Sequence, residues 1–428
     1  MPEPGGEVVG RGLRQGGDLL RGWFAELTAA AERGEGAAYV FVMGSLVELL
    51  RSFDLPVVFP EINSLQTAVK RVAASHLNEA EELGYSPDIC GYVKADVATQ
   101  RRGGEHPMGR IPRPALAVLT TACNTYIKWG EIWERTYRVP VAVIDVPGSR
   151  RAGDAFAPGD GDFERDCFYV AGQLRELVRT CESVTGRRFD VDRLRENLAW
   201  SNAALAGWRR ALAANRAAPA PFNALIDGTV YLGVLNGLRG TPAGAVFFSD
   251  LAEEMELKAA SGLGTLHDEL WRLLFVGVPC YPIFRRFNEL FTERGGVFVG
   301  STYLWFASGG AQAPFSYDLE DPLRGLATGL LLSVRAAVDS MLFHDRALDE
   351  LLDGLRADGV VFHAVKSCRT TSAGLADGRR ALLERREVAS LLLESDMMDQ
   401  RVVSEAQLKN RVDAFFEGLA ARRAGALA

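Results

Sequence analysis

The chain has 428 residues, of which 48% are hydrophobic and 24% charged, and its net charge at pH 7 is −7. This length suits two or three globular domains, each large enough to bury a core. A negative net charge, without a concentrated block of lysine and arginine, argues against a nucleic-acid partner.

The N-terminal segment has no apolar signal region, and the most apolar stretch, residues 326–343, is interrupted by Arg335 and Asp339. A membrane-spanning helix needs about 20 mostly apolar residues, so the sequence predicts no such helix. We therefore expect a soluble, cytoplasmic protein that does not bind a membrane.

Short β-branched runs alternate along the chain with longer amphipathic stretches, which is typical of parallel sheets with crossover helices. Residues 162–215 lack such runs and have helical spacing, with Asp190 or Asp192 placed to cap the second of two helices. The predicted strands are Tyr39–Met43, Leu116–Thr120, Val139–Ile144, Leu273–Val278, Val297–Gly300, Gly359–Phe362 and Ser390–Leu393.

These patterns predict an α/β protein with two Rossmann-like parallel-sheet domains that face a cleft and an intervening helical region. A plain dinucleotide-binding domain is set aside, because the segment after the first strand reads MGSLVELL and lacks the Gly-x-Gly-x-x-Gly loop. The predicted division is an N-terminal helical segment (1–36), an α/β domain (37–150), a mainly helical connecting region (151–267) and a second α/β domain (268–428).

Six cysteines lie far apart, and no two of them form a Cys-x-x-Cys pair. In a chain without a secretory signal, a disulfide framework is not expected, and the spacing alone does not define a metal site. Cys167 and Cys181 lie on apolar faces of predicted helices, and we interpret both as core residues. Cys280 follows a predicted strand and could line the cleft, although core packing is favoured.

Cys90, Cys123 and Cys368 differ from the others because polar residues surround each of them at a loop or strand end. Cys123 and Cys368 each follow a predicted strand, and open α/β sheets bind ligands at the carboxyl ends of their strands. If the two sheets face one cleft, these two cysteines meet there. From residue types alone, each cysteine could still be a buried thiol or a metal ligand.

The three cysteine segments resemble the cluster-binding segments of the benzoyl-CoA reductase and 2-hydroxyacyl-CoA dehydratase family. The resemblance is closest to the B-type subunit of ATP-dependent benzoyl-CoA reductase and extends over the chain from about residue 37. The segments that carry it are FPEINSLQ (59–66), AEELGYSPDICGYVKADV (80–97), TTACNTYIKW (120–129), NGLRGT (236–241), EDPL (320–323), ADGVVFHAVKSCRTTSAG (357–374) and LESDMMDQR (393–401).

The resemblance implies a [4Fe–4S] cluster bound by Cys90, Cys123 and Cys368, with one iron lacking a cysteine ligand. An open iron site can accept water or a substrate oxygen. The implied function is one-electron, low-potential reduction of an aromatic acyl-CoA thioester. The alternatives are a 2-hydroxyacyl-CoA dehydratase that acts through a ketyl radical, a double-cubane-type reductase, or a non-catalytic paralogue that binds acyl-CoA.

The sequence contains no Gly-x-x-x-x-Gly-Lys-[Ser/Thr] loop for ATP. The resemblance therefore implies a separate ATP-hydrolysing iron–sulfur activator, together with a homologous sister subunit and an acyl-CoA substrate. Glu61, Asn63 and His363 are candidate substrate-binding residues. The alternatives are that Glu61 and Asn63 cap the following helix and that His363 is a hydrogen-bonded core histidine. The sequence assigns no catalytic proton donor.

Overall fold

The structure, a computed structural model, describes residues 10–148, 158–304, 316–342 and 347–426. Within these ranges the chain forms a mixed α/β fold around two four-stranded sheets, and the paired strands of both sheets run parallel. The predicted α/β class with two parallel sheets is confirmed. The predicted domain boundaries stay predictions.

The first sheet has four strands in the order β2–β1–β5–β6, and a short antiparallel pair, β3–β4, lies apart from it. The first strand ends earlier than predicted. Beyond Val40 the backbone leaves the sheet, and the N–H of Val42 donates to the Glu61 carboxylate at 2.7 Å. The strands of this half are β1 (Ala37–Val40), β2 (Val57–Val58), β3 (Glu105–His106), β4 (Gly109–Arg110), β5 (Pro114–Thr120) and β6 (Val141–Ile144).

The second sheet has the strand order β10–β9–β7–β8, and each strand contains a predicted one or most of it. All residues of β7 and β8 are buried, which is the pattern of strands covered on both faces. The strands are β7 (Trp271–Val276), β8 (Gly296–Ser301), β9 (Gly359–Val365) and β10 (Ala389–Ser395).

Helices connect the strands and separate the two sheets along the chain. In the N-terminal half they are α1 (Arg11–Glu32), α2 (Val47–Arg51), α3 (Pro60–Val69), α4 (Ala73–Glu82), α5 (Gly91–Arg101) and α6 (Asn124–Tyr137). Between the sheets they are α7 (Gly161–Thr185), α8 (Val191–Ala214), α9 (Ile226–Gly237) and α10 (Pro242–Ala260). The remaining helices are α11 (Phe284–Thr292), α12 (Pro322–Leu342), α13 (Ala347–Leu355), α14 (Arg369–Ser372), α15 (Leu375–Arg385) and α16 (Glu405–Ala426).

The helical stretch predicted at residues 162–215 forms α7 and α8, and α8 packs against α10. Of the two candidate caps, Asp190 is the N-cap of α8, because its side chain accepts hydrogen bonds from the N–H groups of Asp192 and Arg193. None of the helices in the described ranges is long and apolar enough to cross a membrane.

Candidate metal centre

Cys123 and Cys368 occupy equivalent positions in the two halves of the protein. Each lies three residues beyond the end of an interior strand, β5 or β9, and directly before a helix, α6 or α14. In open α/β sheets, ligands commonly bind at the loops that follow the carboxyl ends of the strands. As whole residues, both cysteines are partly exposed and pack against the edge of the core.

Cys90 shares this helix-start position, since it directly precedes α5. All three cysteines are N-cap residues, and none of them uses its side chain to cap its helix. The partial positive charge at a helix N-terminus favours a thiolate over a thiol. α5 and α6 are 11 and 14 residues long, so both can contribute this effect to their cysteines.

A buried carboxylate fixes the two cysteine-bearing helices of the N-terminal half against each other. One oxygen of Asp96, on α5, accepts hydrogen bonds from the indole N–H groups of Trp129 and Trp133, on α6, at 2.7 and 2.9 Å. Burial raises the pKa of Asp96, and these hydrogen bonds oppose the rise. Loss of the carboxylate would leave two buried donors unpaired, which is costly. The spacing of Cys90 and Cys123 is thus tied to the core.

A direct contact joins the Cys123 segment to the C-terminal half. The Sγ atom of Cys123 lies 3.2 Å from Oγ1 of Thr370, a hydrogen-bonding distance for sulfur. Thr370 is the second residue after Cys368, so the contact brings the two helix starts side by side. The two contacting residues are 247 positions apart in sequence.

A glycine allows the Cys90 segment to approach the same region. A Cβ atom on Gly91 would lie 2.6 Å from Cβ of Met398 and 3.6 Å from Oγ of Ser367. The first distance is shorter than real carbon contacts allow, so a larger residue would push the two segments apart. Cys90 therefore lies beside the segment that carries Cys368.

The thiol pKa values reflect this convergence. Burial raises the pKa of Cys90 well above its ordinary value, and the nearby thiols of Cys368 and Cys123 raise it further. Burial also raises the pKa of Cys368, and the Cys123 thiol adds to that rise. A bound metal reverses this tendency, because its positive charge deprotonates a coordinating thiol.

Asp396 organises the backbone around Cys368 from the end of β10. Its carboxylate accepts hydrogen bonds from the N–H groups of Ser367, Met398 and Asp399 at 2.8, 2.8 and 2.9 Å. The side chain is buried, and several hydrogen bonds to a buried carboxylate offset the cost of its charge. The turn after β9 and the turn after β10 thus form one hydrogen-bonded unit.

An ionic cluster, which we call the Glu81 clamp, fastens this unit to the Cys90 loop. Glu81, on α4, accepts from Arg401 at 2.6 and 2.9 Å and from Lys94 at 2.9 Å. Lys94 is almost fully buried and also donates to the carbonyl oxygen of Pro87, three residues before Cys90. Sequence reasoning did not identify the clamp. Its members lie within the segments 80–97 and 393–401, which carry the family resemblance and could have indicated it.

The Glu81 clamp predicts a loss of stability in acid. Its cations, chiefly Arg401, lower the pKa of Glu81 to about 2. A lowered carboxyl pKa stabilises the fold above the unfolded value of about 4.3, and this contribution disappears as the pH falls towards 2. Arg401→Gln should lower the free energy of unfolding at pH 7 by about 1 kcal/mol after allowance for solvent screening. The same substitution should also make the free energy of unfolding less dependent on pH between about pH 5 and 2.

Urea unfolding of both proteins across this pH range measures the effect. Arg286→Gln is a matched control, because Arg286 also bridges several carboxylates, those of Glu289, Glu293 and Glu405, but none of them pairs with a loop that carries a cysteine. That control should leave the acid dependence assigned to Glu81 intact. Parallel stability curves for the wild type and Arg401→Gln would contradict the role of the clamp.

Glu61 lies in the first turn of α3, but it does not cap that helix. One oxygen accepts the Val42 N–H at 2.7 Å, and the other accepts the hydroxyl of Tyr126 at 2.7 Å. Burial raises the pKa of Glu61 to about 7. Tyr126 is in the first turn of α6, so Glu61 is linked through one side chain to the helix that Cys123 begins.

Asn63 is buried and His363 is fully buried, but their surroundings differ. The side-chain amide of Asn63 has no hydrogen-bond partner among the described residues. His363 has both ring nitrogens paired, with the carbonyl oxygen of Val278 and the hydroxyl of Ser395, each at 2.6 Å. This geometry favours the core-histidine alternative for His363, because no ring nitrogen is left for a substrate.

The other three cysteines lie in the core. Cys167 is buried with its sulfur 3.0 Å from the hydroxyl of Thr328, and Cys181 and Cys280 are fully buried. Burial raises the pKa of Cys181 to about 12 and that of Cys280 to about 11, so both remain protonated thiols at neutral pH.

The donor set at the three converging cysteines is compatible in type and number with an iron–sulfur cubane. Within the described ranges, no group of three or more His, Cys, Asp or Glu side chains is arranged to hold one metal ion. A cubane makes a different demand, because each cysteine binds a separate iron at a separate corner of the cluster. Three partly buried free thiols on separate segments match that demand in type and number.

Comparison with known proteins gives long, collinear matches. A family model described as 2-hydroxyglutaryl-CoA dehydratase, D-component, matches residues 44–419, a range that includes all three cysteines. The chain is 31% identical over 424 residues to the B-type subunit of benzoyl-CoA reductase from Thauera aromatica, and the match covers 96% of this chain and 94% of that protein.

Two further relatives carry dehydratase names. The (R)-phenyllactyl-CoA dehydratase alpha subunit of Clostridium sporogenes is 25% identical over 401 residues, 92% of each chain. The alpha subunit of (R)-2-hydroxyglutaryl-CoA dehydratase from Acidaminococcus fermentans is 22% identical over 494 aligned residues, 97% of this chain and 98% of that protein. All three relatives are named as subunits of acyl-CoA enzymes.

Proposed function

Because the chain belongs to the family described as 2-hydroxyglutaryl-CoA dehydratase, D-component, we propose that it is the iron–sulfur subunit of a benzoyl-CoA reductase-like complex. Family membership confirms the predicted resemblance and makes the chain a subunit of an enzyme of the oxidoreductase or lyase type. The proposed reaction is the low-potential, one-electron reduction of an aromatic acyl-CoA thioester.

The observation that carries the proposal is the convergence of Cys90, Cys123 and Cys368 from three distant segments. We assign them as the ligands of one [4Fe–4S] cluster whose fourth iron has no cysteine ligand. Such a cluster supplies single electrons and an iron position that can accept an oxygen ligand. The N-termini of α5 and α6 stabilise the negative charge of the thiolates.

Glu61 and Asn63 are the proposed substrate-binding residues. A buried amide without a partner carries a desolvation cost that a bound ligand can offset, and Asn63 offers both a donor and an acceptor. A thioester carbonyl or an amide of the CoA arm has the matching chemistry. The carboxyl group of Glu61, with a pKa of about 7, holds or releases a proton near neutral pH.

A second candidate function is 2-hydroxyacyl-CoA dehydration through a ketyl radical. It is favoured by the family description and by the dehydratase relatives, which match over nearly the whole chain. The reductase is preferred because the benzoyl-CoA reductase relative is more similar to this chain than those dehydratases are, at 31% against 25% and 22% identity.

The proposed assembly has two further proteins. A homologous sister subunit fits the naming of the relatives as lettered or alpha subunits of larger enzymes. An ATP-hydrolysing iron–sulfur activator would supply the electron, because single-electron reduction of an aromatic ring or thioester is strongly uphill and this chain contains no P-loop.

Substrate-dependent change in the paramagnetic spectrum of the anaerobically reconstituted protein tests this function. Benzoyl-CoA should alter the spectrum and free CoA should not, whereas a response to phenyllactyl-CoA alone would favour the dehydratase.

Asn63→Ala should weaken acyl-CoA binding about fivefold to tenfold, the effect of one lost hydrogen bond. Asn410→Ala, an exposed asparagine on α16, is the control. A loaded cluster that responds to no acyl-CoA would indicate the non-catalytic paralogue.

A further inference from the structure

The segment around Cys368 is rich in hydroxyl groups that have identifiable neighbours. Thr370 contacts the Cys123 sulfur, and the hydroxyl of Ser372 both donates to and accepts from the backbone of Val365 at 2.9 Å. The hydroxyl of Thr371 lies beside the Cys368 thiol and opposes the rise in its pKa. The hydroxyls of Thr370 and Ser372 thus have partners within the chain, whereas that of Thr371 is buried without a hydrogen-bond partner among the described residues.

Ser367 also has an unpaired hydroxyl, but this residue lies beside the Cys90 segment. The residue is 8% exposed, and its hydroxyl oxygen is buried without a hydrogen-bond partner in the described part of the chain. Its backbone N–H, by contrast, is held by Asp396 at 2.8 Å. A buried hydroxyl without a partner is unfavourable, and such groups in folded proteins usually meet water, an ion or a ligand.

The position of this hydroxyl indicates which partner is missing. Ser367 directly precedes Cys368, and its Oγ lies 3.6 Å from the place that a Cβ of Gly91 would occupy. Gly91 in turn directly follows Cys90. The unpaired donor therefore lies between two of the three cysteine segments, on the side where they approach each other.

We infer that the Ser367 hydroxyl donates a hydrogen bond to a sulfur of the bound cluster and thereby raises its reduction potential. The inference rests on the proposed function, since it requires the cluster. Reduction adds negative charge to the cluster, so a hydrogen-bond donor stabilises the reduced state more than the oxidised state. Ser367 is thus a tuning residue that acts on the electron affinity of the cluster without binding iron.

The test compares Ser367→Ala with Ser52→Ala by anaerobic redox titration, followed by the paramagnetic signal of the reduced cluster. Ser52 is also buried, but its hydroxyl donates to the carbonyl oxygen of Leu49 at 2.6 Å, far in sequence from the cysteines. Ser367→Ala should shift the ratio of reduced to oxidised cluster about threefold to tenfold towards oxidised at fixed potential, and tenfold corresponds to about 59 mV for one electron. Ser52→Ala should leave the potential unchanged.

Thermal unfolding of the metal-free variants should show the reverse contrast, with a larger loss of Tm for Ser52→Ala than for Ser367→Ala. Ser52→Ala should lower Tm because a buried hydrogen bond is lost, whereas Ser367→Ala should not, because its hydroxyl has no partner to lose in the described part of the chain. Ser367→Thr keeps the hydroxyl and should restore most of the potential. This contrast separates tuning of the cluster from a general effect on folding.

The inference is overturned if Ser367→Ala loads a cluster with the wild-type potential, or if Ser52→Ala shifts the potential equally. Failure of Ser367→Ala to load while Ser367→Thr loads normally would assign the hydroxyl to cluster assembly and also overturn the inference. A wild-type protein that binds no cluster would instead reject the proposed function, so the two failures are distinguishable.

Discussion

Serine in place of Cys90, Cys123 or Cys368 should reduce the iron content of the reconstituted protein from about four atoms per chain, as a cubane requires, to a small fraction of that value. Each thiolate would hold one corner of the cluster, and a serine hydroxyl remains protonated at neutral pH and binds iron poorly. The measurement is iron and sulfide content after anaerobic reconstitution, together with the visible charge-transfer band.

Cys167→Ser, Cys181→Ser and Cys280→Ser are the matched controls, because these three cysteines are buried in the core. Replacing a buried thiol by a more polar hydroxyl should lower the free energy of unfolding by about 1–3 kcal/mol, least at Cys167 beside the Thr328 hydroxyl, with iron content unchanged. If a control lost as much iron as the Cys123 variant, the ligand assignment would be wrong.

Acyl-CoA turnover should require an ATPase activator, and omitting it should reduce the rate to background. Under the proposed function, a separate ATP-hydrolysing activator supplies the free energy needed to reach a very low potential, and this sequence contains no P-loop. The assay mixes this subunit with a homologous sister subunit, the activator, ATP and a strong reductant, and follows conversion of benzoyl-CoA.

Two omissions make this experiment decisive. Without ATP or without the activator, the loaded cluster can bind substrate but should not be recharged, so at most a single turnover is expected. Sustained turnover by the purified chain with a mild reductant and no ATP would contradict the prediction and indicate an ATP-independent reductase.

The sequence by itself determined the class of fold, because local patterns report local structure. Apolar runs such as those of β7 and β8 form strands buried on both faces, and Asp190 caps α8 through atoms only two and three residues away. Very short elements cannot be predicted from local patterns. β2 has only two residues, which are too few to show a hydrophobic period. The three cysteines were selected by resemblance, and their assignment as ligands stays a prediction.

Only the tertiary structure decided which polar residues surround the cysteines. Lys94 reads as a surface lysine, yet it is buried and paired with Glu81 and the Pro87 carbonyl oxygen. Glu81 also pairs with Arg401, which lies 307 positions beyond Lys94 in the chain. The ring of His363 is paired by Val278 and Ser395, which no local pattern brings together. Such contacts join segments that are distant in sequence, so their partners depend on geometry over the whole chain. Periodicity and capping rules extend over only a few residues, so they describe helices and strands but not the groups that meet between them.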